Sequence, residues 1–252
     1  MWHRLGHWLL PVLILVAFGG VWQLIALFYP PALFPGPTAT IEALIEVAIN
    51  GTLWSNTWIS LVRFFTGYGL ALLIAIPLGL LFGCVGFLRR LFDPLIQVLR
   101  PISPIAWSPL AVLWFGIGSA PAIYIIFLAC FFPMLLTTIT AVKSVPAVYL
   151  KVARNFGVGS GMTVLLVILP AAFPGIMSGL HIAVGTGWIH LVAGEMLGAQ
   201  SGLGYMIVDA RNFLRTDMIM AGMLVIGVLG LGIYRGMRAL EDLIGRQWGI
   251  GV

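Results

Sequence analysis

The chain has 252 residues, 61% of them hydrophobic and 8% charged, with a formal net charge of +5. So few charges cannot clothe a water-facing surface, whereas a lipid-facing one needs none. The positive balance does not indicate nucleic-acid binding, because the chain has two lysines, Lys143 and Lys151, and no basic run longer than Arg89-Arg90.

Taken in order, a short basic head, Met1 to His7, precedes an apolar stretch from Trp8 to Tyr29. The stretch is too long for a signal peptide and no small-residue cleavage site follows, so it is read as an uncleaved first span. Pro30-Pro31 ends it. From Thr38 to Asn50, Glu42 and Glu46 fall on one helical face and Ile41, Ala43, Leu44, Val47 and Ala48 mostly on the other, predicting a short amphipathic helix at the surface.

A spanning helix needs about 20 apolar residues. No charge occurs between Arg63 and Arg89, which places the second span there. The uncharged run Pro101–Val142 holds two more, a third at Leu95–Phe115 and a fourth at Pro121–Val142, parted by the turn-forming Gly116–Pro121. A polar island, Lys143 to Gly161, precedes a fifth span at Val167–Leu197 and a sixth at Met218–Tyr234. The expectation is an all-α polytopic protein of about six transmembrane helices. With the N-terminus inside, nine of the thirteen Lys and Arg lie on inner segments and three on outer ones, so both termini are placed in the cytoplasm. Cys84 and Cys130 both lie in apolar runs and are read as packed thiols, and no Cys/His spacing supports a metal site. Gly79 with Gly83, and Gly175 with Gly179, are small-residue pairs read as packing contacts.

Within the polar island, Pro146 opens a short helix and Gly157, Gly159 and Gly161 close it. Such a helix, exposed on the cytoplasmic side between two spans, is suited to sit in a partner's groove. The stretch Tyr149–Gly157 followed by Val167–Pro170 resembles the EAA loop of ABC-importer permeases, E-A-A-x-x-x-G followed after nine residues by I-x-L-P. Ala153, Gly157, Leu169 and Pro170 match in register; Lys151, Val152 and Val167 stand where the pattern has Glu, Ala and Ile. The segments Leu33–Pro37, Ser60–Gly67, Pro77–Gly79, Asp93–Pro94, Arg100–Leu110, Trp114–Gly118, Gly194–Ala199 and Ser201–Tyr205 are similar to the nitrate/sulfonate/taurine/bicarbonate branch of that family, in the same order along nearly the whole chain.

The resemblance implies a type I importer-permease fold and a non-catalytic subunit of the bacterial inner membrane. Residues 1–60 would form a first helix and an external amphipathic segment, and 61–252 a core domain with a coupling helix near 146–161. The resemblance assigns Lys151, Val152, Ala153, Arg154, Gly157 and Pro170 to coupling with the ATPase. It implies a second copy of the chain, two ATP-binding subunits that use ATP and Mg, and a periplasmic or lipid-tethered binding protein. The chain has no phosphate loop of the form G-x-x-x-x-G-K-[ST], so ATP hydrolysis belongs to another chain. No cofactor, no nucleic acid and no catalytic residue is expected in this one.

Ionisable and helix-breaking residues at membrane depth supply the candidates for a translocation path. Arg63, near the outer face, either snorkels or attracts anions at a pore mouth, and the same two readings apply to Arg100 near the inner face. Pro101, Pro104 and Pro109 free backbone carbonyls, and with Ser103, Trp107 and Ser108 they mark a broken stretch expected to line the path. Glu195, at the outer end of the fifth span, is read as an inter-helix bond fixing an outer gate, because a carboxylate touching an anionic solute would repel it. His181 and His190 are nine residues apart, half a helical turn out of phase, and cannot both face one narrow pore. Arg211 and Arg215 share an external face, paired with Asp209 and Asp217 or free to dock an acidic partner. The leading reading is an ATP-driven importer subunit for a small anion of the nitrate, bicarbonate or sulfonate class. The alternatives are a free-standing secondary transporter or channel, which would favour coupled intramembrane acids, and an intramembrane enzyme, for which no HExxH or paired acids are present.

Overall fold

The computed structural model describes the backbone of residues 2–247 and the side chains of 13–245. The basic head and Arg246, both used in reading the topology, lie outside the described side chains. Helices occupy almost all of the described chain: α1 (Trp2–Ala26), α2 (Pro37–Ile49), α3 (Thr52–Cys84), α4 (Gly86–Leu99), α5 (Ser108–Phe115), α6 (Ser119–Lys143), α7 (Ala147–Asn155), α8 (Ser160–Thr163), α9 (Leu169–Gly198), α10 (Leu203–Asn212) and α11 (Thr216–Gln247).

Among the described residues, α3, α6, the continuous helix Ser160–Gly198 and Thr216–Gly245 are long and apolar enough to cross a membrane, and a bent pair raises the four to five. Six long apolar spans are therefore not found. The described part of α1, Leu13–Ala26, is a shorter apolar helix. The expected third span is no single rod: α4 stops at Leu99 and the chain turns by 82° before the helical stretch Pro104–Phe115. Pro101 and Pro104 remove the backbone donors that would carry α4 onward. The fifth span corrects the sequence reading in the other direction. The sequence places it at Val167–Leu197, yet the helix begins at Ser160 and runs through both Pro170 and Pro174. A π-turn over Val164–Ile168, in which the Leu169 N–H reaches the Val164 carbonyl, widens the helix just before Pro170 and accommodates its ring.

Helix α6 is the centre of the bundle, packing most extensively on α9 and α3. Both glycine pairs lie against it. A Cβ on Gly79 would come within 2.6 Å of Thr138, one on Gly83 within 2.6 Å of Val142, and one on Gly175 within 2.6 Å of Ala141, while one on Gly179 would collide with Thr137. The absent side chains let α3 and α9 approach α6 almost backbone to backbone. Between these contacts Phe64, Tyr68, Ile126, Met134, Ala183 and Trp188 form the core. Cys130 is buried as expected, whereas Cys84 is exposed at the end of α3. Helix α2 buries Thr40, Ala43 and Val47 and packs on α3 and α11. The boundary read after residue 60 falls inside α3.

The charge bias puts the α10–α11 turn outside and the α7–α8 turn inside. Phe213 is 73% exposed in the first of these, and at Gly159, in the second, an added side chain meets open space. In a Cys84→Ser background, Phe213→Cys should react with an impermeant maleimide added to whole cells and Gly159→Cys should not. The reverse pattern would invert the topology.

Candidate functional site

Three places in the fold gather the residues singled out above. At one end of the bundle lies a closed polar knot. Arg63 of α3 is 2% exposed. Its Nη1 donates to Glu195 Oε1 at 2.9 Å and to the Ser201 carbonyl at 2.6 Å, its Nη2 to Ser201 Oγ at 2.7 Å, and its Nε to Ser119 Oγ at 3.0 Å. Glu195 is fully buried and also accepts from Ser60 Oγ and, at 2.9 Å, from the Gly204 N–H. One ion pair thus gathers α3, α6, α9 and the 199–204 turn. Gly202, at φ +103°, closes over the carboxylate, which any side chain there would strike. Glu195 forms the inter-helix bond read from the sequence. Arg63 does not sit at an open pore mouth and does not snorkel; its guanidinium is spent on the knot.

The second place is a cavity of about 520 Å³ lined by the bent α4–α5 segment, α6 and α9. Arg100, Pro104 and Trp107 line it, while Ser103, Ser108, Arg63 and Glu195 do not. Arg100 also lines a second cavity, of about 570 Å³, toward the C-terminal end of α6 and the N-terminal end of α9. Among the described residues the Arg100 side chain makes no hydrogen bond or ion pair, and it is exposed at the 82° break. His190 lines the first cavity and was not assigned to the path from the sequence. His181 points elsewhere, with Nδ1 3.5 Å from Glu241 of α11. The two rings diverge as their half-turn phase difference requires.

The third place is α7. Pro146 precedes it in extended backbone, and Gly157 ends it at φ +71°. The Val158 N–H bonds to the Ala153 carbonyl at 3.0 Å and the Gly157 N–H to that of Arg154 at 2.9 Å, the paired bonds of a Schellman stop. Ala153 is buried, whereas Lys151, Val152 and Arg154 are exposed. Helix α7 touches the π-turn below Pro170 and so bears on the foot of the longest apolar helix.

Just before α11, Arg215 donates to Asp217 and, at 2.8 Å, to Glu46 of α2. These carboxylates, Asp217 before Glu46, hold its guanidinium protonated well above its ordinary range. Arg215 therefore ties α2 to the start of α11, and Arg211 is exposed beside it.

Long apolar helices, a short exposed helix between two of them and a cavity at a broken span describe a membrane-embedded bundle. The sequence profile of the binding-protein-dependent transport system inner membrane components matches residues 73–248, and the chain belongs to that family. A protein of Methanocaldococcus jannaschii that carries the name of an ABC transporter permease is 40% identical over 228 residues, 88% of this chain and 85% of its own. The taurine transport system permease protein TauC of Escherichia coli is 37% identical, over 84% of this chain and 78% of its own. Among solved structures, the MetNI methionine ABC transporter in an inward-facing conformation superimposes with a TM-score of 0.65 at 20% identity, covering 80% of this chain and 98% of that one, a likeness of fold. The chain is a non-catalytic permease subunit of an ABC importer, a multi-pass protein of the inner membrane.

Proposed function

We propose that this subunit moves a small anionic solute, of the sulfonate, nitrate or bicarbonate class, by alternating access, with ATP energy entering through α7. The observation that carries the reading is α7 itself, an exposed helix with a sharp glycine stop, seated on the π-turn at the foot of α9. Through that contact a push on α7 reaches α9, and α9 is packed on α6. In this reading Lys151, Val152 and Arg154 face the groove of an ATPase subunit that holds ATP and Mg, and Ala153, Gly157 and Pro170 shape the helix and its seat. Two copies of the chain pair with two such subunits, and a binding protein delivers solute at the outer face. In this reading α3 to α11 form the core that carries solute, and α1 and α2 supply its periphery.

The anionic class is supported by Arg100, an unpartnered guanidinium where the two cavities meet. Placed there, it attracts an anion without holding it in a closed ion pair. In proteoliposomes carrying the permease, its ATPase and external binding protein, uptake should require ATP. Arg100→Gln should lower uptake by about tenfold to a hundredfold, the worth of one charge-assisted hydrogen bond, with the assembled complex retained. Uptake without the ATPase, driven by an ion gradient, would support a free-standing carrier. Full uptake by Arg100→Gln would remove this residue from the path.

A further inference from the structure

A third cavity, of about 360 Å³, opens between α3, α4 and α6. Leu99 and Phe132 line both it and the first cavity beside Arg100, so the two share a wall. Its lining runs along α4 from Leu88 to Leu99, about 16 Å of helix. On α3 and α6 it covers only a turn each, at 78–82 and 131–135. Helix α4 therefore lies across the other two, and the space beneath it is a long slot. Every side chain that lines the slot is Leu, Ile or Phe. Water finds no hydrogen-bond partner there, and an inorganic anion would lose its hydration without compensation. The protein does not fill the slot either. Ile96 is the buried residue of α4, and the Phe82–Phe92 stack, with centroids 5.3 Å apart, is its ring contact with α3. In a bilayer the remaining material is hydrocarbon, which gains dispersion contacts in such a gap.

The rim of the slot has the opposite character. Arg89 follows Leu88 at its N-terminal end, and Arg90 is exposed beside it. Among the described residues neither arginine side chain makes a hydrogen bond or an ion pair, and Asp93, one turn further on, is bonded to neither. The apolar helix α3 ends at Cys84, just before them, so both arginines stand where a candidate span leaves the membrane. Arginines at that depth attract the phosphate of an anionic lipid. A second copy of the chain is a poorer occupant, because a symmetric contact would set Arg89 and Arg90 close to their own counterparts.

We infer that the slot beneath α4 is a binding site for an anionic phospholipid, with the phosphate on Arg89 and Arg90 and one acyl chain along Leu88, Phe92 and Leu95. The acyl chain supplies the packing that α4 lacks and backs the Leu99–Phe132 wall of the cavity beside Arg100. The site depends neither on which solute is carried nor on how transport is driven.

The full-length chain, extracted in mild detergent with its bound subunits, is titrated with phosphatidylglycerol, with phosphatidylcholine of the same acyl chains, and with glycerol 3-phosphate. Native mass spectrometry counts the bound copies. Phosphatidylglycerol should bind about thirtyfold more tightly than phosphatidylcholine, the attraction of two arginines for an anionic headgroup, and glycerol 3-phosphate should not displace it. Arg89→Gln with Arg90→Gln should remove that preference. Leu88→Trp, at the mouth of the slot, and Leu95→Trp, further along it, should each weaken both lipids while the elution volume of the complex stays unchanged. Equal binding of the two lipids, an unchanged preference in the double arginine variant, displacement by glycerol 3-phosphate, or full lipid binding by both tryptophan variants overturns the inference. So does a parent that binds neither lipid and whose tryptophan variants elute as smaller complexes, a result that would give the slot to a second copy.

Discussion

Replacing Glu195 by alanine should destabilise the protein by about 3–5 kcal/mol, the cost of leaving a buried partner charge uncompensated. Arg63 is 2% exposed, and its remaining partners, two serine hydroxyls and one carbonyl, are neutral. Ser60 Oγ and the Gly204 N–H would also lose their acceptor, opening the 199–204 turn over α3. The predicted phenotype is a low yield of folded protein and a lowered midpoint of thermal unfolding in detergent. The double substitution Arg63→Met with Glu195→Leu separates charge from packing. It removes both ions and should recover most of the lost stability, because a buried pair replaced by apolar groups of similar size is often neutral. If Glu195→Ala were as stable as the parent, or if the double variant were no better than the single, the knot would not be the clamp that its geometry describes.

The second large effect concerns Gly157. A β-branched residue at φ +71° costs roughly 1–2 kcal/mol of backbone strain, and no neighbour lies within 4 Å of a Cβ there to add a clash. Gly157→Val should therefore insert and fold but lose the Schellman stop, moving the end of α7 relative to the π-turn. ATP-driven uptake should fall to near background, and binding-protein stimulation of ATP hydrolysis should disappear with it. Asparagine tolerates left-handed backbone far better than valine, so Gly157→Asn should retain more transport than Gly157→Val. Wild-type uptake by Gly157→Val would separate α7 from energy coupling. Equal loss in the asparagine and valine variants would assign the effect to side-chain bulk at a partner surface and not to the backbone of the turn.

The sequence by itself determined the local features. The charge-free runs gave α3, α6 and the apolar helices ending in α9 and α11, because the length of an apolar segment is a one-dimensional property. The phase of Glu42 and Glu46 gave the amphipathic α2, and Pro146 with Gly157 gave α7 and its stop, because backbone chemistry acts within a few residues. The proline cluster at 101–109 marked where backbone would break, but it gave neither the 82° bend nor the cavity the bend creates.

Tertiary structure alone decided the fate of the charges. Arg63 and Arg100 read alike in the sequence, each a lone arginine at a span end. Packing of α3 and α9 around α6 brings Arg63 to a carboxylate 132 positions away, and that ion pair buries it among the helices. The Arg100 side chain finds no such partner among the described residues, because the bend leaves it exposed at the edge of the two cavities. The two histidines followed the same logic: their phase showed that they must diverge, and only the neighbours of α9 decided which one met α11 and which one the cavity. Which acid a buried base will meet depends on helices that are remote in sequence, and no local pattern encodes that distance.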